Sequence, residues 1–398
     1  MGEVRRTAHA FFSLEDAYVL DVDSLLQGIP LTASDEAQIV AMAILTGERH
    51  PIDKRDWEVL MSIPTDRWVN EDGFDVKVVR GLLDKGLIVS DSGDSPYREL
   101  RERDEAMTAT GWHPYATLYH YLTQWTGVDI RDGDRVDAEL AAETAAGVRE
   151  LVADYGLPPT ELPHMASDHR VALPARARSE PFFRTLMQRR TTRAFDPERQ
   201  MSLDDLDTVL RYGFGVHGYA SRVEGVVCIK RTSPSGGGLH PITVYPIVAN
   251  VEGVAPGVYH YNAGDHSLAL LSSLTTEEAH ELASTFMAGQ SYFGTAHVSF
   301  VLAARFYRNH WKYRRHARAY AGILMDAAHL SQTLYLVAAE LELGAFVTIA
   351  INGRDIEERL GLDGVEAGPI AVCGCGPRLA RRSPLEPRFT PDRPPRPA

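Results

Sequence analysis

Between Arg305 and Arg318 the chain reads RFYRNHWKYRRHAR, six Lys and Arg residues with no acid among them to neutralise their charge. Inside this stretch Lys312 stands directly before Tyr313. An ammonium beside a phenol favours the phenolate, so a group that is inert near neutrality becomes a base suited to proton abstraction. The surrounding cations would also position an anionic cofactor. Neighbouring residues on a helix point in different directions, so the pair can face one site only from a loop or from the first turn of a helix. A lone Lys-Tyr pair is more often a solvated turn whose Tyr packs, and the reading therefore rests on other segments.

Two of these are QRRTTRAF, Gln188 to Phe195, and RTSPSGGGLHPITVY, Arg231 to Tyr245. They occur in the order, and at roughly the separation, found in the flavin nitroreductase superfamily. PGVYHYNAGDHSL, Pro256 to Leu268, narrows the match. Over about residues 180–380 the chain resembles the SagB-type branch, FMN-dependent dehydrogenases that oxidise thiazoline and oxazoline rings of ribosomally made peptides to thiazoles and oxazoles. The N-terminal part resembles peptide-maturation dehydrogenases. The resemblance implies an α+β nitroreductase-like fold with a mixed sheet flanked by helices, FMN as cofactor and a homodimer. It also implies a modified precursor peptide as substrate and a cyclodehydratase as candidate partner.

FMN demands cations and amides for its phosphate, close backbone approach to its ring, and a positive field near the reduced ring. Arg190, Thr191 and Arg193 match the superfamily's Arg-Ser-x-Arg pattern with Thr in place of Ser, and Arg189 offers the alternative register. In Pro234-Ser235-Gly236-Gly237-Gly238 the missing side chains would let backbone N–H groups approach a ring edge or an anion. Many simple nitroreductases carry Asn at the place of Gly238 and Gln at that of His240, whereas the SagB-type branch is glycine-rich there. The triplet is no dinucleotide fingerprint, lacking a preceding strand and the right spacing. Arg378, after the last strand, falls where the superfamily commonly places a phosphate contact. The resemblance makes Lys312 and Tyr313 the Lys-Tyr pair of azoline oxidases, with Tyr313 the base and Lys312 its charge partner, or the two roles exchanged. Asp326 and His329, three apart, offer a second acid/base pair or a packed His satisfied by its carboxylate. Tyr259 and Tyr261 share one strand face and line either a peptide channel or the core.

The elements that must position these residues follow from periodicity. From Ser34 to about Ser90 the spacing predicts three short helices, SDEAQIVAMAILTG with Ser34 as N-cap, KRDWEVLMSI and DVKVVRGLLDKG, with Gly47 and Gly86 as stops, and then a strand, LIVSD. That pattern is winged-helix-like. Such a module commonly reads DNA, but residues 30–95 hold 13 acids against 7 bases, which repels phosphate. Capture of a peptide segment as an added strand, or packing and dimerisation, suits it better. The aromatic-rich stretch 104–126 reads as core or substrate contact, and Val136–Tyr155 as a helix. The expected organisation is residues 1–155 as a winged-helix-like and helical domain, 156–180 as linker, 181–380 as the flavin domain and 381–398 as a Pro-rich tail. Within the flavin domain, helices are expected over 181–190, 202–215 and 275–288, a hairpin over 257–271, and strands over 243–249, 298–304, 345–351 and 369–373. A long helix carries Ile323, Ala327, Leu330, Leu334, Val337 and Leu341 at spacings of four and three.

Composition bounds the rest. The 398 residues are 44% apolar with a formal charge of −13, enough for two or three domains and opposed to general nucleic-acid binding. No run approaches the about 18 uninterrupted apolar residues of a membrane span, and a cytoplasmic location is expected. Three cysteines, with Cys373 and Cys375 one residue apart, suit small core side chains better than a disulfide or metal site. Alternatives to azoline oxidation are an NAD(P)H-dependent flavin reductase of dehydroamino acids, nitro groups or quinones, and a scaffold or regulator with a vestigial flavin domain.

Overall fold

The computed structural model describes residues 2–19, 32–92, 97–130, 137–157, 169–174, 176–314, 316–387 and 389, with backbone only at 16–19, 32–37, 137–141 and 222. Arg315, most of the expected linker and the tail beyond 389 lie outside the described residues. Chain order begins with strands β1 (Glu3–Arg6), β2 (Ala10–Val19), β3 (Thr32–Ala43) and β4 (Glu48–Ile52), helix α1 (Lys54–Ser62), β5 (Val69–Asn70), α2 (Val76–Asp84) and β6 (Ile88–Ser90). Then come α3 (Arg98–Thr110), α4 (Pro114–Leu122), α5 (Asp137–Tyr155), α6 (Pro181–Gln188), α7 (Leu203–Phe214), β7 (Gly218–Val223), β8 (Val226–Lys230) and β9 (Ile242–Val248). The last part holds β10 (Gly257–Asn262), β11 (Ser267–Ser273), α8 (Thr276–Phe286), α9 (Ser291–Gly294), β12 (Val298–Arg305), α10 (Phe306–Tyr313) and α11 (Ala319–Glu340). It closes with β13 (Gly344–Thr348), α12 (Gly353–Leu360) and β14 (Ala367–Gly376). No helix among the described residues is long and apolar enough to cross a membrane.

Two compact units share these elements. The first joins Met1–Gln124, Arg305–Ile323 and Glu357–Gly368. Its sheets are antiparallel: β1 lies between β5 and β6, and β2, β3 and β4 form a meander. Asp53 and Asp75 cap α1 and α2 by accepting backbone N–H groups of their first turns. Both helices then turn apolar residues inward, Leu60, Val78, Val79, Leu82 and Leu83 packing with Val4, Ala41, Ile52 and Ile88. Fully buried Asp104 on α3 is satisfied by the Arg5 guanidinium at 2.7 Å and the Thr7 hydroxyl at 2.5 Å.

One expectation fails here. SDEAQIVAMAILTG, read as a helix capped at Ser34, builds strand β3, paired with β2 from Thr32 to Ala43 and with β4 from Ile39 to Ala43. Partners on both edges outweigh the helix preference of its Ala, Met and Gln residues, and Gly47, at φ 76°, turns a hairpin rather than ending a helix. The Ser34 side chain lies outside the described residues. The next two helices and the strand stand as expected in α1, α2 and β6.

The second unit joins Trp125–Ala304, Leu324–Ile356 and Pro369–Ala398. Its six-stranded sheet runs β11-β10-β9-β12-β14-β13. β9 contains Pro246 and is an inner strand, yet β10 pairs only with Ile247 and Val248, so the ladder on that side ends where the proline lacks a donor. Ser202 caps α7 through the Asp205 N–H, and Thr275 with Glu278 forms a reciprocal capping box on α8. Ala327, Leu330 and Leu334 of α11 are buried as their spacing predicts. Cys373 and Cys375 are buried free thiols in β14. The β7–β8 hairpin and α10 have no counterpart in the sequence expectations.

Candidate functional site

In the second unit, α6 ends at Gln188 and the chain runs on extended beside β13. Thr191 bridges Ala345, and the Thr192 N–H donates to the Ala345 carbonyl at 2.8 Å. That approach requires Gly344, because a Cβ there would sit 2.6 Å from Cγ2 of Thr192. The Thr191 hydroxyl lies 2.9 Å from that of Tyr335 on α11, and the Arg189 guanidinium covers the same ring at 5.3 Å. After β14 the chain returns along this segment, Arg378 opposite Phe195 and Leu379 N–H donating to the Ala194 carbonyl. Arg190 and Arg378, both expected at the phosphate, are thereby brought into one electrostatic neighbourhood. Burial, and next the charges of Arg378 and Arg382, lower the Arg190 pKa, while Glu386 opposes them. Arg190 Nε is buried without a hydrogen-bond partner. A fork of guanidinium donors with one orphaned N–H fits a phosphate monoester. Arg193 is used differently, its guanidinium lying over Tyr292 and Phe293 at 5.8 and 5.5 Å.

The glycine-rich loop belongs to the same unit. Gly236–Gly238 make a single 3-10 turn in which Gly237 and Gly238 have φ of 64° and 71°, a region open to glycine. Asp326 on α11 fixes the turn, accepting from the Ser235 hydroxyl at 2.5 Å and the Gly236 N–H at 3.0 Å. Ser235 Oγ in turn accepts the His240 N–H. Asp326 is thus committed to the loop and forms no pair with His329, whose Nδ1 is buried without a partner. Asp326 and Tyr335 are nine residues apart, roughly 14 Å along one helix, so α11 spaces the loop from the arginine segment.

Lys312 and Tyr313 belong to the first unit. They occupy the last turn of α10, not the first, and the helix stops because Arg314 leaves helical geometry at ψ 128°. Adjacent positions still converge: Lys312 Nζ lies 5.4 Å from the centroid of the Tyr313 ring. α10 is anchored by its other face, where Phe306 and His310 pack on Trp112 at 4.6 and 4.9 Å. Trp112 also touches His120 and Tyr320, and its indole N–H donates to the Val365 carbonyl at 2.9 Å. Burial pushes His120 down to about 3 and His310 down to about 4, so both are neutral in this apolar cage. Of the aromatic stretch, Trp112 and Tyr121 are therefore core, while Tyr115 and Tyr119 are exposed.

Tyr259 and Tyr261 are buried and hydrogen-bonded, Tyr259 to the Ala255 carbonyl and Tyr261 to His266, which contacts Asp207 at 2.6 Å. Burial raises Tyr261 to about 12, as befits a core phenol rather than the wall of a channel. Among the described residues no group of three or more His, Cys, Asp or Glu side chains could hold a metal ion. Asp326 as anchor of the loop, and Arg382 and Glu386 beside Arg190, were not singled out from sequence for these positions. No local spacing marks them, since each acts across the fold.

Residues 186–376 match the Nitroreductase family. The trifolitoxin-processing protein TfxB of Rhizobium leguminosarum bv. trifolii is 31% identical over 161 residues, 39% of each chain. A protein of Methanocaldococcus jannaschii described as a candidate nitroreductase is 32% identical over 130 residues, 33% of this chain and 63% of its own. The match thus spans less than two thirds of either relative. Among solved structures, a chain of the E. coli microcin synthetase McbBCD complex with truncated pro-MccB17 bound covers 71% of this chain and 98% of its own, at 19% identity and a TM-score of 0.47. The glycine-rich turn and the Arg190 segment both fall inside the matched range, so over residues 186–376, a stretch of α+β architecture, the chain is similar to the Nitroreductase family.

Proposed function

We propose that this protein is an FMN-dependent dehydrogenase that oxidises thiazoline or oxazoline rings to thiazoles or oxazoles in a ribosomally synthesised peptide. The observation that carries the reading is the convergence of Lys312 and Tyr313, an ammonium 5.4 Å from a phenol ring on a helix end held by an aromatic cage. Azoline oxidation removes one ring proton and one hydride. Tyr313 takes the proton as general base, and Lys312 stabilises the phenolate that does so. FMN, when bound, supplies the hydride acceptor. Arg190 and Arg378 hold its phosphate, Thr191 and Arg193 stand beside them, and Pro234, Ser235, Gly236, Gly237 and Gly238 give its ring a surface without bulky side chains. The fit rests on this chain's own donors, above all the orphaned Arg190 Nε.

The relative named for trifolitoxin processing supports a peptide substrate. A modified precursor peptide, a cyclodehydratase partner and a homodimeric assembly complete the proposal. Anaerobic mixing of the flavin-loaded protein with a short thiazoline peptide tests it. Loss of absorbance at about 450 nm together with a mass loss of about 2 Da from the peptide is the expected result, since it records both halves of one hydride transfer. Flavin that ignores thiazoline and is bleached by NAD(P)H would replace the dehydrogenase with a reductase.

A further inference from the structure

Glu386 is an acid buried among arginines. It is 7% exposed, in a segment that follows Arg378 and Arg382 back across the start of the domain. Its Oε1 accepts the Arg193 backbone N–H at 2.6 Å, which fixes the carboxylate, while its Oε2 is buried without a partner. Among the described residues it closes no ion pair with Arg190, whose Nε is likewise orphaned. A buried carboxylate oxygen and a buried guanidinium nitrogen, both unsatisfied, mark a polar site rather than a finished salt bridge. The charges of Arg378 and Arg382 act on Arg190 in one sense and that of Glu386 in the other, so the carboxylate offsets part of the positive field there. The sign of the field left over is positive, which suits a phosphate monoester, a group carrying about −1.5 to −2 near neutrality.

We infer that Glu386 is the built-in counter-ion of this cluster: it holds the arginines together in the flavin-free protein and sets a limit on how tightly a flavin phosphate is bound. The inference rests on the FMN reading above and adds an affinity-determining residue to it. Glu386 carries the same sign of charge as the phosphate, so it weakens FMN and leaves riboflavin, which lacks the phosphate, unaffected.

Glu386→Gln keeps an acceptor for the Arg193 N–H and removes the charge. In full-length apoprotein, titrated with FMN and with riboflavin, the variant should bind FMN about tenfold more tightly and riboflavin equally well. The gain should shrink as salt is raised. The flavin-free variant should melt about 2–4 °C lower, because the arginines have lost their counter-charge. An unchanged ratio of FMN to riboflavin affinity, or weaker FMN binding, overturns the inference. Should the parent bind neither flavin, the cofactor reading fails, and the counter-ion role is judged on the apoprotein by a double-mutant cycle of Glu386→Gln with Arg190→Gln. Non-additive melting shifts uphold it, and additive shifts overturn it.

Discussion

Lys312 reaches Tyr313 because its four-carbon stem is flexible and the helix ends beside it, so the usual divergence of adjacent helical residues is overcome by one side chain. If Tyr313 is the base, Tyr313→Phe leaves the ring beneath the ammonium and removes only the hydroxyl. Azole formation should fall about 10²–10⁴-fold with flavin content unchanged, and a loss under about tenfold would sink the assignment. Lys312→Ala, which takes the ammonium away from the Tyr313 ring, should lower the rate less than Tyr313→Phe does, again with flavin content unchanged. The pair was legible as a dipeptide, although its place at the last turn was not. Asp326 and His329 show the limit of spacing: three residues apart, they can meet, but Ser235 and Gly236 bind the carboxylate first. Glu386 was illegible for a related reason, its partner Arg193 lying 193 residues away in sequence.

α10 depends on a cage whose two histidines are held neutral, and this makes the element sensitive to acid. In the unfolded chain both titrate near the ordinary 6.5, whereas burial lowers His120 to about 3 and His310 to about 4. Between these values the unfolded chain binds more protons, so stability is full above about pH 6.5 and is lost as pH falls, by about 1.4 kcal/mol per pH unit for each histidine. Urea midpoints at pH 7, 6 and 5 should decline, and His310→Phe, which keeps the ring packing, should flatten the decline by close to one proton. An identical slope in the variant would remove His310 from the account. Elements whose signal is local were legible: the capping box of α8, the Ser202 cap of α7 and the apolar stripe of α11. Strand β3 was not, because its identity is settled by partners on both sides rather than by its own residues. α10 was missed because its basic surface face hides the two residues, Phe306 and His310, that anchor it.

At the scale of the whole molecule, the unit that carries Lys312 and Tyr313 is assembled from three stretches of chain, and composition along the sequence offers no mark of such interleaving. Exposed apolar surface gives the scale its own prediction. α6 is eight residues long, its Thr185 is buried, and Phe182, Phe183, Leu186 and Met187 are 63%, 39%, 37% and 86% exposed. Four large apolar side chains on two turns form a patch of the kind that soluble monomers seldom leave uncovered. A second copy of the chain is the proposed cover, and the arginine segment begins at the very end of this helix. Phe182→Glu with Met187→Glu should therefore convert a dimer into a monomer in sedimentation velocity at micromolar concentration. It should also weaken FMN retention, since the Arg190 segment would lose the support of a fixed α6. A parent that sediments as a monomer would defeat the first expectation, and a monomeric variant that retains FMN fully would show that the arginine segment is held by β13 and Tyr335 alone.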